Sequence, residues 1–257
     1  MICATIKRCS QEVLQWIIQQ DEVGEESITD WMLYKLHDLD QNISYKLFNR
    51  IQEARVTGAD FEFWILTKNF NFKARVQAKR LRQNKDHHSS IAYTNKHGYQ
   101  IDKLRTDAIN NGFRPLYAFY NHEQLNSQCK RQINDEGVYL SCAHTLYRDI
   151  IQQPRQTINT QFLIDRSTPF SCWFCCPLCD KIATNGNSLV DFLKEYHGLG
   201  DYGNLSDGIT KETPSYISSF TELNSNKNDN WTVQTWEKEF HRYIKDIGGL
   251  LVIDKRK

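Results

Sequence analysis

Ala59-Asp-Phe-Glu-Phe-Trp-Ile-Leu-Thr67 alternates along its length, with Phe61, Phe63 and Ile65 on one face and Asp60, Glu62 and Trp64 on the other. That two-residue period predicts a strand. Ala74-Arg-Val-Gln-Ala-Lys-Arg-Leu81 predicts a second, with Val76 and Ala78 inward and Arg75, Gln77 and Lys79 on the opposite face. Asn69-Phe-Asn-Phe-Lys73 between them reads as a hairpin connection. In such a hairpin Asp60, at the start of one strand, converges at a sheet edge with Gln77 and Lys79, two apart on one face of the next.

Those three side chains suit one chemistry. A carboxylate and an amide oxygen are hard ligands for Mg²⁺ or Mn²⁺, and Mg²⁺ keeps several waters for reaction. A lysine beside them can orient a water or stabilise charge that develops on a phosphate. The basic side chains around and after the motif, Arg75, Arg80, Arg82 and Lys85, would hold a polyanion. A turn carboxylate after Gly58, a polar strand-face glutamine and an exposed strand lysine are the structural alternatives for Asp60, Gln77 and Lys79.

Outward from the hairpin, Tyr45 to Glu53 is strand-like. Ser27 to Leu39 reads as a helix with Ile28, Trp31, Met32 and Leu36 on one side, and Ser10 to Ile18 as another, with Ser10 as its cap. Downstream, residues 83–98 read as a loop carrying His87, His88 and His97, which are expected to be solvated. Ile101 to Ile109 is a helix ended by Asn110-Asn-Gly112, and Pro115 to Tyr120 a buried strand. The order helix, three strands, helix, strand predicts a compact α/β unit over residues 1–121. Residues 122–257 form a mainly helical and irregular extension packed on it, a candidate recognition or oligomerisation region.

Gly58-Ala-Asp60 and Val76-Gln-Ala-Lys79 in this setting resemble the restriction-endonuclease-like nuclease superfamily, with its Asp…(Asp/Glu)-x-Lys signature. The Gln-x-Lys form is similar to the Mrr-type enzymes. More narrowly, Glu25-Glu-Ser-Ile-Thr-Asp30, Thr57-Gly-Ala-Asp-Phe-Glu-Phe-Trp64, Val76-Gln-Ala-Lys-Arg80, Tyr99-Gln-Ile-Asp102 and Pro115-Leu-Tyr-Ala-Phe-Tyr120 resemble an uncharacterised bacterial family, DUF6615. The resemblance covers roughly residues 10–121. It implies a mixed sheet flanked by helices, a divalent metal on Asp60 and Gln77, a catalytic Lys79, and hydrolysis of phosphodiester bonds, in DNA before RNA. It also implies a supporting acid from the first helical region, Glu26 or alternatively Glu25, with Glu53 and Glu62 as weaker candidates. Gln100, which opens the helix after the motif, would touch the site or a phosphate. The bacterial setting suggests defence against foreign DNA, and cutting both strands suggests a homodimer.

Composition sets the outer bounds. The 257 residues are 40% apolar and 25% charged with a net charge of +1, an ordinary globular balance that names no partner. The balance is uneven locally. Residues 1–66 hold 11 acidic and 6 basic side chains, whereas residues 68–105 hold 10 basic and 2 acidic ones. Cations beside a polyanion, or merely solvated faces, would give this pattern. No apolar run approaches the roughly 20 residues of a membrane helix, and the first residues lack a signal-peptide pattern, so a cytoplasmic protein is expected.

The eight cysteines are then expected to be free thiols or metal ligands. Cys172, Cys175, Cys176 and Cys179 form two Cys-x-x-Cys pairs within eight residues. They are cramped for one tetrahedral zinc, which Cys129, Cys142, His144 or His197 could complete, and buried thiols are the favoured reading. A thiol-protease pairing with His197 has no supporting context. Cys142 to Gln152, Ser188 to Tyr196 and Trp231 to Ile247 look helical, Leu250 to Asp254 a final strand, and residues 200–230 a long loop. Two rivals to the nuclease reading remain: an inactive nucleic-acid-binding module of the same fold, and a cysteine-rich zinc-binding protein in which residues 122–257 recognise a partner.

Overall fold

The computed structural model describes residues 2–48, 57–82, 85–95, 98–129, 134–153, 157–175, 208–225 and 247–256, together with Phe192, Tyr196 and Phe240. Glu53, His97, Cys176, Cys179, His197 and most of the helices expected over 188–196 and 231–247 lie outside these residues.

The chain opens with two helices, α1 (Ile2–Gln19) and α2 (Glu25–Leu39). In α1, Ile6, Val13, Leu14 and Ile17 make one buried stripe; each such side chain contributes about 1.5–3 kcal/mol when removed from water. The helix begins eight residues before Ser10, which is not a cap. Ser10 is buried inside the helix, where its hydroxyl accepts from Val138 N at 3.0 Å and its carbonyl from Gly137 N at 2.9 Å. Helix α2 starts at Glu25 rather than Ser27, with Glu25 and Glu26 in the first turn and His37 in the last, both favourable with the helix dipole.

Strands β1 (Ile43–Leu47), β2 (Phe61–Leu66) and β3 (Asn71–Arg80) follow. A short helix α3 (His88–Ile91) and a two-stranded ribbon, β4 (Thr94–Asn95) and β5 (Gly98–Tyr99), lead into α4 (Gln100–Asn110) and β6 (Arg114–Tyr120). The order expected for residues 1–121 is therefore present.

The rest of the chain contains the helical stretch expected over Cys142–Gln152 and the final strand expected from Leu250, but its other elements depart from expectation. It supplies β7 (Val138–Cys142), α5 (Ala143–Leu146) running into a π-helical turn (Tyr147–Ile151), α6 (Thr160–Ile164), β8 (Ser167–Pro169) and α7 (Cys172–Cys175). Then come β9 (Ile209–Thr210), α8 (Ser215–Ser225) and β10 (Gly249–Asp254). The segment read as a long loop thus contains a strand and a helix. β7 to β10 all join the same sheet, whose order is β1-β10-β2-β3-β6-β7-β8 with β9 on β3. Residues 122–257, expected as an extension packed on a finished core, complete the sheet, and β10 lies inside it between β1 and β2.

The fold is α/β with a mixed open sheet flanked by helices. β10 pairs with β2 and β3 with β6 in parallel, while β2–β3 is an antiparallel hairpin with Phe61 opposite Val76. One face, bearing Phe63, Ile65, Phe72, Val76, Leu116 and Leu251, packs with α1 and α2. On the other, Tyr117 and Phe119 pack with Ile101 and Leu104 of α4, and Trp64, Leu250 and Val252 with Ile217 and Phe220 of α8. Gly58 fixes the approach of β2 to α4. Its φ is +66°, and a Cβ there would stand 2.8 Å from the Gln100 carbonyl oxygen and 3.1 Å from Leu104 N.

Candidate active site

The site arises where β3 outruns β2. β2 is assigned from Phe61, opposite Val76, so β3 continues through Ala78 and Arg80 without a β2 strand partner there. Amides two residues apart on one strand edge point the same way, and two carboxylates take the place of the missing strand. Ala78 N donates to Asp60 Oδ2 at 2.6 Å, and Arg80 N donates to Glu25 Oε2 at 3.0 Å. The acids therefore stand side by side, on amides roughly 7 Å apart by strand rise. One comes from the turn before β2, the other from the first residue of α2.

Gln77 and Lys79 lie on the same β3 face and reach these acids. Gln77 Nε2 donates to Asp60 Oδ2 at 2.6 Å, and Gln77 Oε1 accepts from Gln100 Nε2 at 2.7 Å. Lys79 Nζ is 3.3 Å from Glu25 Oε1. Asp60 and Gln77 are thus in contact, Gln100 joins them through Gln77, and Lys79 meets Glu25 beside them. Of the two acids at the start of α2, Glu25 is the one that contacts this strand edge; Glu26, the expected candidate, is exposed, about 100° further round the helix. The sixth member of the cluster is Tyr117, opposite Gln77 on β6 and fully buried. Burial first, then the Asp60, Glu25 and Asp102 carboxylates, push its phenol well above the ordinary range, and among the described residues no hydrogen-bond partner reaches its hydroxyl. Its cross-strand position opposite Gln77 is the signal that could have found it.

The donor set fits a hard cation in one way. As oriented, Gln77 turns its nitrogen to Asp60, so it aligns the carboxylate, and oxygen ligands would come from Asp60 and Glu25. Among the described residues no group of three or more His, Cys, Asp or Glu side chains is spaced to hold a metal. Two carboxylates with water and phosphate oxygens completing the shell is the arrangement Mg²⁺ commonly takes.

Other expected site residues lie elsewhere. Glu62 is fully buried, 3.2 Å from Arg75 Nη1, and accepts from Tyr216 Oη at 2.6 Å and Trp64 Nε1 at 2.5 Å. Arg75 is buried in that cluster with Asp107 at 3.4 Å and is not available to a polyanion. Arg80 is also buried, its guanidinium on Val23 O and on Asp21 at 3.2 Å. Arg82, 3.6 Å from Glu22, and the exposed Lys85 do reach the surface, in a groove with Ile17, Asp21 and His122. His87 is not solvated but buried, near Thr160 Oγ1 at 3.2 Å, and burial lowers its pKa.

The cysteines differ too. Cys175 forms a disulfide with Cys3, so these two are neither free thiols nor zinc ligands as placed. Cys172 is a buried thiol, as favoured.

Residues 2–254 match the profile of a family described as "Family of unknown function (DUF6615)". The chain belongs to this family. No curated protein matches the chain. The match spans both the residues that resembled DUF6615 by eye and the strands beyond residue 121 that complete the sheet of this DUF6615 protein. No helix among the described residues is long and apolar enough to cross a membrane.

Proposed function

We propose that this DUF6615 protein is a metal-dependent nuclease of the restriction-endonuclease-like type, hydrolysing phosphodiester bonds in DNA before RNA. The observation that carries the reading is the pair of carboxylates on the bare β3 edge, Asp60 on Ala78 N and Glu25 on Arg80 N, with the Lys79 ammonium 3.3 Å from Glu25. Bound Mg²⁺ would polarise the scissile phosphate and lower the pKa of a bound water. Asp60, held by Ala78 N and the Gln77 amide, and Glu25, held by Arg80 N on one oxygen and exchanging Lys79 for the cation on the other, would supply the oxygen ligands. Gln100 fixes the Gln77 amide. Lys79, only 15% exposed, directs its charge at the attacking water and the developing negative charge on phosphate. Arg82 and Lys85 are left for the nucleic-acid backbone. Restriction or defence against foreign DNA is the corresponding biological role.

The test is cleavage of supercoiled plasmid with and without Mg²⁺ or Mn²⁺. Metal-dependent nicking that is lost in Asp60→Ala and in Lys79→Ala is expected. The alternative, a binding module of the same fold, is favoured by one observation: Gln77 offers a donor where the signature has a second acid. Salt-dependent DNA binding without cleavage by any variant would establish it.

A further inference from the structure

Two pairs of cysteines lie away from the proposed site, each with one member on α7. Cys3, in the first turn of α1, is bonded to Cys175 at the end of α7. Cys172 opens α7, and its Sγ lies 2.7 Å from that of Cys129. Residues three apart in a helical turn are neighbours, so α7 carries one sulfur of each pair side by side. The pairs differ in access: Cys3 and Cys175 are half-buried, whereas Cys129 is 4% and Cys172 2% exposed. The other described thiols are engaged separately, Cys9 with Met32 O at 3.8 Å and Cys142 with Arg114 at 3.0 Å.

We propose that Cys3, Cys175, Cys172 and Cys129 form a disulfide relay that passes a bond between a half-buried outer pair and a buried inner pair. The Cys172 thiolate attacks Cys175 Sγ. The Cys172–Cys175 bond forms, the Cys3–Cys175 bond breaks, and Cys3 leaves as a thiolate that takes the proton Cys172 lost. The Cys129 thiolate then attacks Cys172 Sγ, forming Cys129–Cys172 and releasing Cys175, which takes the proton from Cys129. One disulfide is lost and one gained, so no outside oxidant enters. The outer thiols can then reduce a small disulfide to two thiols as Cys3–Cys175 re-forms. With both pairs bridged, α7 is tied to the start of α1 and to the segment before residue 130. The closed loops have sequence separations of 172 and 43 residues.

The test uses the full-length chain with Cys176→Ser and Cys179→Ser. It is fully reduced, treated with one equivalent of oxidised glutathione, quenched at intervals by alkylation and mapped by mass spectrometry. A Cys3–Cys175 population that converts in part to Cys129–Cys172, at a rate independent of protein concentration, is expected. A second equivalent should bridge both pairs and raise the melting temperature by several degrees, and added Cys172→Ser should freeze the bond at Cys3–Cys175. The relay is overturned if Cys129 and Cys172 alkylate at every time and ratio. It is equally overturned if the reduced chain carries one zinc per molecule that shields all four thiols, which would make the cluster a metal site.

Discussion

The β2–β3 hairpin carries two polar clusters of nearly the same chemistry, and they do opposite things. At one end Asp60 and Glu25 meet Gln77 and Lys79; two residues along, Glu62 meets Arg75 and Asp107. All the strand members lie on one face of the sheet. Coverage separates them. Arg75 and Glu62 are 5% and 0% exposed under Tyr216 of α8, whereas Lys79 and Glu25 are 15% and 31% exposed where β2 gives out. The covered carboxylate must keep its cation because a lone buried charge is costly. The open one can exchange a partner for a ligand.

The largest effect on stability should therefore come from the covered cluster. Glu62→Ala leaves the Arg75 guanidinium buried with only Asp107 nearby and should cost about 3–5 kcal/mol, read as a lowered midpoint in urea unfolding. Asp60→Ala takes the acceptor from the Ala78 and Gln77 amides at a partly exposed site, where water can replace it in part, and should cost less, about 1–3 kcal/mol. If Asp60→Ala proves the more destabilising, the division into a structural and a working cluster fails.

Within the working cluster, Glu25 and Glu26 provide the next contrast. If the nuclease reading holds, Glu25→Gln should slow cleavage about 10²–10³-fold, the scale on which a preorganised electrostatic group matters. Glu26→Gln should leave the rate within about twofold, since the side chain is exposed and turned away from the β3 edge. Equal losses in the two variants would mean that Glu25 only anchors α2.

A third carboxylate shows what coverage does when no cation is supplied. Glu136 is fully buried with Ser171 Oγ and Ser10 as its hydrogen-bond partners. Burial raises its pKa from 4.5 to about 7, and Asp135 adds to the rise, against the hydrogen bonds that lower it. Because the folded value lies above the unfolded one, the folded state binds the extra proton between about pH 4.5 and 7. The contribution is full below that window and is lost as pH rises through it, by up to about 3 kcal/mol. Stability measured from pH 4 to 8 should fall across the window relative to Glu136→Gln. Parallel curves for the two proteins would show that folding leaves the pKa of Glu136 unshifted.

Much of the working cluster was legible because a strand announces its faces: the alternation about Asp60 and through Gln77 and Lys79 placed them together. The same alternation could not say which parts of a face are covered. Arg75 shares that face with Lys79, but it is buried with Glu62 beneath Tyr216 of α8, in a segment rich in Ser, Asn and Gly that reads as loop. Glu25 could not be separated from Glu26 because the start of α2 depends on the Arg80 amide it caps, more than fifty residues away. The place of β10 between β1 and β2 was illegible for a similar reason: strand order is set by long-range pairing, and Leu250 to Asp254 shows only that it is a strand.

A pair of glycines separates geometry from chemistry most cleanly. Gly58 and Gly98 both have positive φ, +66° and +98°, so alanine at either is strained by about 1–2 kcal/mol. At Gly98 nothing lies within 4 Å of the new Cβ, and strain is the whole cost. At Gly58 the Cβ meets the backbone of Gln100 and Leu104, and α4 cannot yield without moving the Gln100 side chain that holds Gln77. Gly58→Ala should therefore lose stability beyond Gly98→Ala and, on the nuclease reading, also weaken Mg²⁺ binding, measured by calorimetry, whereas Gly98→Ala should leave it unchanged. Should both substitutions spare metal affinity, the contact between the Asp60 turn and α4 is mere packing, and the Gln100–Gln77–Asp60 chain plays no part in holding the cation.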